Sequence, residues 1–280
     1  MSIGKFVLLA YLLTFIMEIV SVCVGFYVDA TGMSIDELSS NKVLIIVQLI
    51  GEITLPIFLL NFYKEKITEL DIVMPFSKKD KLSKYFLGYT LGLLLFLIIW
   101  SVSVYLSGFH VVNVWSMSNI GLLLLFFLGY GFQGMAEEIV CRGYLQGRLM
   151  QITNPKVAIV ISALFFSFLH GANDGITLTA LVSLFLFGIF TGIIRYYTND
   201  LWAVGAFHSA WNFIQGPVLG VSVSGSDNQA LILQSNVIPN KDFVNGGSFG
   251  LEGSGLTVLA YLVVIILTII LNTKIFSEKE

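Results

Sequence analysis

Charge is what this sequence has least of: Lys, Arg, Asp and Glu make up 12% of its 280 residues, about half the share of an ordinary soluble domain. With 56% hydrophobic residues and a mean hydropathy of +0.86, a water-soluble fold is excluded. Cysteine is scarce as well. The two present, Cys23 and Cys141, both fall inside apolar runs, which leaves no basis for a disulfide framework. There is no internal repeat or low-complexity tract. Also missing are the nucleophile elbow of Ser hydrolases, a phosphate-binding Gly loop and the His-Glu-x-x-His string of soluble zinc peptidases. The net charge of -3 favours no acidic or basic partner, and no nucleic-acid partner is expected.

Long apolar runs are what the chain does have. At about 20 residues each they suit crossings of a hydrocarbon core about 30 Å thick. They lie near 5–28, 43–62, 85–107, 119–150, 155–170, 177–196, 201–222 and 255–275. The expected fold is therefore all-α: one polytopic membrane bundle over 1–280, of about eight transmembrane helices. The first run is too long for a signal peptide and has no small-residue cleavage site, so it reads as an anchor helix. With eight crossings and the N-terminus inside, every Lys and Arg falls on the inner side except Lys42 and Lys241, with Lys274 and Lys279 at the inner end of the chain. Both termini are thus expected in the cytoplasm. The cluster Lys78, Lys79, Lys81 and Lys84 reads as a solvated inner loop, and the Gly-, Ser- and Asn-rich segment 221–254 as an outer loop folding back over the bundle.

Four carboxylates lie within the runs: Glu18, Glu52, Glu137 and Glu138. An ionisable group costs at least a few kcal/mol there and marks a paired contact or a functional path. Glu138 and Arg142, four apart on one helix face, can satisfy each other. Glu137 points about 100° away and keeps no such partner, which suits a general acid or base. Glu18 and Glu52 carry no motif and are expected to snorkel or to find a hydrogen-bond partner. Cys141 reads as a small core residue, and His110 as ordinary surface.

The other two histidines lie inside runs, with Phe166 four residues before His170 and Asn212 four after His208. Thr153-Asn154-Pro155 reads as a cap and first helical turn. Counting from that turn puts Glu137 and His170 both about 20 Å away along an antiparallel hairpin. His208 and Asn212 lie about 12 and about 18 Å from the turn at Asn199 and Asp200. One polar cavity inside the membrane is the consequence. A carboxylate and an imidazole can deprotonate a water there, while an imidazole and a carboxamide can donate to an oxyanion. Glu137, His170 and His208 are equally the ligand types of a catalytic zinc. Residue types leave both open. Intramembrane Glu and His also build transport paths, although no inverted repeat accompanies them here.

At these positions the sequence resembles the CPBP family of CAAX-protease and bacteriocin-processing intramembrane peptidases, whose motifs read here Glu137-Glu138-x-x-x-Arg142, Phe166-x-x-x-His170 and His208-x-x-x-Asn212. The resemblance covers about 119–222, taken as the catalytic core, and the string Gly250-Leu251-Glu252-Gly253-Ser254 looks like bacterial members. It implies an endopeptidase of the bacterial plasma membrane with a cavity open to the cytosol. The substrate would be a peptide or lipid-modified peptide, cut near its C-terminus. Glu137 would be the water-activating base aided by His170, with His208 and Asn212 as oxyanion donors and Glu138, Arg142 and Phe166 in support. No cofactor is favoured, with zinc as the alternative. Some relatives are linked to bacteriocin self-immunity, so a non-proteolytic immunity or scaffold protein is the second reading.

Overall fold

The computed structural model describes residues 2–34, 41–226 and 229–276. It is almost entirely helical, and the chain is an integral membrane protein. Helices α1 (Ile3–Met17) and α2 (Ile19–Thr31) form a pair bent by 51° at Glu18. Helices α3 (Lys42–Gly51) and α4 (Thr54–Phe62) follow, broken at Glu52 but together one long apolar span. Both acids without a motif thus sit at helix breaks. The short α5 (Ile67–Val73) leads to α6 (Lys81–Tyr105).

The site-bearing half begins with α7 (Ile120–Glu138), which continues through a π-helical stretch, Ile139–Leu145, into α8 (Gln146–Leu149). Helix α9 (Pro155–Leu169) starts where the cap signal puts it, with the Asn154 side chain accepting a hydrogen bond from the Val157 N–H at 3.0 Å. Helices α10 (Leu178–Thr198) and α11 (Trp202–Phe213) complete the core, the latter extended by a second π-helical stretch, Ile214–Val218, that holds Pro217. The last long helix, α12, spans Gly255–Phe276.

Among the described residues four helices can cross a membrane by length and composition: Lys42–Phe62, Lys81–Tyr105, Met117–Leu149 and Leu178–Thr198. The bent pair makes a fifth. Helix α9 and the apolar part of α12, Gly255–Leu271, are shorter. Of the residues used to orient the chain, Lys279 lies outside the described ones.

Helix α11 is the hub. It packs along α6 and α7, while α9 packs on α10 and α10 on α12. Gly88 and Gly92 make the α6 seam possible, because a Cβ at either would run into the backbone carbonyl of Ala203 or Phe207. Small residues four apart let helices approach closely in lipid, where packing replaces the hydrophobic effect as the attraction.

The expected outer loop does fold back, and it contributes a strand. Leu233–Val237 pairs antiparallel with Phe109–Asn113, setting His110 opposite Asn236 on an exposed edge. His110 is surface, as expected, but in a strand rather than a free loop. Leu231, Phe249, Leu251 and Glu252 of the same segment are buried.

Replacing Gly92 by valine should overpack the α6–α11 seam, with a cost of about 1–3 kcal/mol. A lower melting temperature of the purified protein in detergent would register it, and an unchanged one would show that the seam yields.

Candidate active site

The centre of the bundle holds charges with no exposure to solvent. Glu138 and Arg142 are both fully buried, and the guanidinium donates to Glu138 Oε1 at 3.0 Å. The same oxygen lies 3.1 Å from His208 Nδ1. Arg142 also stacks over Phe166, 4.5 Å from the ring centroid, and faces Phe187 at 5.5 Å. A guanidinium over two aromatic faces recovers part of the hydration it has lost. Phe166 is a shared wall, 4.8 Å from the His170 ring and 5.8 Å from that of His208. All three motifs therefore meet on one aromatic side chain.

The π-helical stretch begins immediately after Glu138. Such an insertion changes the angular phase of the residues that follow and is frequent at functional sites. Ser162 Oγ donates to the carbonyl of Cys141 within it at 2.8 Å. Cys141 is fully buried, as a core residue should be.

Glu137 faces a different environment from its neighbour. Gln133, one turn earlier, donates through Nε2 to Glu137 Oε1. Asn212 Nδ2 in turn donates to Gln133 Oε1 at 2.8 Å. Gln133 thus links the last motif residue to the first. The other carboxylate oxygen of Glu137 is buried and has no hydrogen-bond partner among the described residues, with His208 Nε2 3.8 Å away. His170, at the C-terminus of α9, has Nδ1 2.9 Å from the Phe166 carbonyl. With Nδ1–H donated to that carbonyl, the neutral ring presents Nε2 as a bare acceptor.

Glu137, His170, Asn212 and Gln133 line one cavity of about 250 Å³. A second pocket of about 10 Å³ lies against His170 and His208, room for about one water. The back-folded segment lines part of both. Glu252 accepts from Trp211 Nε1 at 3.1 Å and from the backbone N–H and hydroxyl of Ser224 at 2.8 and 2.9 Å. Asn173 donates to the Ser224 carbonyl, and Tyr130 to Gln229. Gly250, at φ 94°, brings its backbone against the Ser222 carbonyl where a Cβ has no room. The 250–254 string is thus a clasp that ties the segment to α11.

One expectation needs correction. Glu52 does not snorkel. It is 6% exposed, lines the 250 Å³ cavity and leaves Oε2 without a hydrogen-bond partner among the described residues. Its position at the α3–α4 break turns a short side chain inward, with no reach to the membrane surface. Glu18 is half-buried, bonds to Ser21 and interacts electrostatically with Glu137 and His170. Gln133 was also not anticipated; its place four residues before Glu137 on an apolar helix is the signal that identifies it.

Glu137, His170 and His208 are the candidate zinc ligands. Among the described residues no three His, Cys, Asp or Glu side chains converge as a metal-binding group. His208 directs Nδ1 at Glu138 and His170 directs Nδ1 at a backbone carbonyl, each keeping Nε2 as its other ring nitrogen, an orientation that metal-ligating and metal-free imidazoles share.

Residues 119–214, about a third of the chain, match the family model of Type II CAAX prenyl endopeptidase Rce1-like proteins. All seven motif residues fall inside that segment. Comparison with curated proteins finds no match.

Substituting Arg142 by methionine strands Glu138 in the core and should cost about 3–5 kcal/mol. Pairing it with Glu138→Gln should recover much of that loss. Thermal melts of the three variants check this, and equal melting of the single and double variants would contradict it.

Proposed function

We propose that the chain is an intramembrane endopeptidase that hydrolyses a peptide bond with a water activated by Glu137. The observation that carries this reading is the unpartnered, buried Glu137 oxygen in a polar cavity that also holds His170. The match of residues 119–214 to a CAAX prenyl endopeptidase family supports it.

In this reading Glu137, with His170 Nε2 beside the same water, takes a proton from it. The water oxygen bonds to the carbonyl carbon, and the carbonyl electron pair moves onto the substrate oxygen. His208 and Asn212 donate hydrogen bonds to that oxyanion. For His208 to donate from Nε2 while Nδ1 donates to Glu138, its ring must be doubly protonated, and the two flanking carboxylates suit that form. The oxyanion then collapses, the C–N bond breaks, and the proton held by Glu137 passes to the leaving amine. Gln133 orients Glu137 through one oxygen and leaves the other for the water. Glu138, Arg142 and Phe166 hold the two imidazoles in place without touching substrate.

The substrate we favour is a small or lipid-modified peptide cut near its C-terminus, CAAX-like or of the bacteriocin leader type. The enzyme would act in a bacterial plasma membrane with both termini cytoplasmic, which turns the cavity wall made by Asn173, Ser224, Ser226 and Gln229 toward the outer face rather than the cytosol. Counting the bent pair and helices 155–169, 202–218 and 255–276 as crossings gives eight. No metal is assigned a step.

Glu137→Ala should lower cleavage by about 10²–10⁴-fold, the scale of a lost general base, while insertion and melting stay normal. Comparing the small-peptide pools of wild-type and Glu137→Ala cells reads activity and substrate together, and an unchanged pool would sink the proposal. Purified wild type should retain activity in chelator and contain less than stoichiometric zinc by elemental analysis. Stoichiometric zinc with chelator-sensitive activity would overturn the metal-free route.

A further inference from the structure

The cavity has a wall that the proposed reaction does not use. It comes from the N-terminal helices, outside the 119–214 segment, and its principal group is Glu52. That carboxylate is more than nine-tenths buried, and its Oε2 has no hydrogen-bond partner among the described residues. Gln48, one turn earlier on α3, lines the cavity with it. Glu52 interacts electrostatically with both Glu137 and Glu18.

The charge balance of this space is lopsided. Glu52 and Glu137 line it and Glu18 is within electrostatic reach of both; among the described residues His170 is the one titratable base on the wall, and His208, its Nε2 3.8 Å from Glu137 Oε2, stands next to Glu137 and not among the groups acting on Glu52. Among the described residues no lysine or arginine lines the cavity. The other polar groups on the wall, such as Gln48, Gln133 and Asn212, are neutral. Contrast Glu138, whose charge is met directly by Arg142. A buried carboxylate without a partner is strongly unfavourable as an anion until a proton, a cation or a hydrogen-bond donor reaches it, and an arriving cation is met by a carboxylate that no other cation occupies. At about 250 Å³ the space suits one side chain and a short stretch of backbone, not a folded partner.

We propose that Glu52, with Gln48 beside it, is a specificity subsite that receives an ammonium or guanidinium group of the substrate close to the bond being cut. The inference rests on the peptidase reading for its substrate, but the subsite can be measured by binding alone. Either a Lys or Arg side chain or a free α-amino terminus can supply the cation. Glu52 acts in recognition and takes no proton in the bond-breaking steps.

The test uses the full-length protein in detergent and fluorescent peptides in which a lysine is scanned through successive positions. Each peptide is paired with one carrying norleucine, which keeps the side-chain length and removes the charge, and each is made with a free and an acetylated N-terminus. Wild type should bind the lysine peptide about tenfold more tightly than its norleucine partner at one position, the scale of a single charge-assisted hydrogen bond. A preference that follows the free N-terminus instead assigns the cation to the α-amino group. Glu52→Gln, nearly isosteric, should bring the ratio close to one, and Glu52→Asp should keep part of it. Wild type that shows no charge preference at any position overturns the subsite. So does Glu52→Gln with an undiminished ratio. A wild type that shows the preference but cleaves none of the peptides upholds the subsite and overturns the peptidase reading.

Discussion

The Glu138 carboxylate, buried to zero exposure between Arg142 and His208, is the constraint around which the motif-bearing half is arranged. An ion in hydrocarbon is tolerated only when its charge is met by good geometry and its remaining hydrogen-bonding positions are filled. Meeting that condition draws α7, α9 and α11 to one point, because Arg142 needs Phe166 beneath it and His208 needs Glu138 at Nδ1. Once those contacts are made, the neighbouring residue has little freedom. Glu137 emerges about 100° further round the helix, against Gln133 and the cavity. Two adjacent carboxylates thereby acquire different tasks, one structural and one, in our proposal, reactive.

Irregular backbone within a membrane must be covered by protein or lie against water. Here the segment after α11 meets that condition, because it is tied down through Glu252, Ser224 and Trp211 and is itself part of the cavity wall. The turn after His170 is handled in the same way, with Asn173 bonded to the Ser224 carbonyl. The cavity is therefore made by both halves of the chain. Helices α7, α9 and α11 carry the motif residues, whereas α3 and the back-folded segment supply most of the remaining polar lining.

Spacing along the sequence reveals much of the site and only part of the fold. Residues four apart on a helix share a face, so the Glu138–Arg142 pair and the Phe166–His170 contact could be read directly. The cap at Asn154 and Pro155 fixed a helix start, and counting from it brought Glu137 and His170 to one depth. Non-local contacts left no such trace. The pairing of 109–113 with 233–237 joins two short polar and apolar strings far apart in sequence, neither with a distinctive alternation. The 51° bend at Glu18 and the break at Glu52 lie within unbroken apolar runs, where hydropathy alone reads a straight crossing. For that reason Glu52 looked like a snorkelling side chain, although it is an inward-facing one.

A single turnover in water labelled with heavy oxygen most directly tests whether Glu137 activates water. If Glu137 acts as a base, the new carboxylate of the first product molecule carries one heavy oxygen from solvent and the Glu137 side chain carries none. A first-turnover product that retains ordinary oxygen, with label appearing on Glu137 instead, would make it a nucleophile and contradict the account. So would the absence of any cleavage of a substrate that the purified wild-type protein binds.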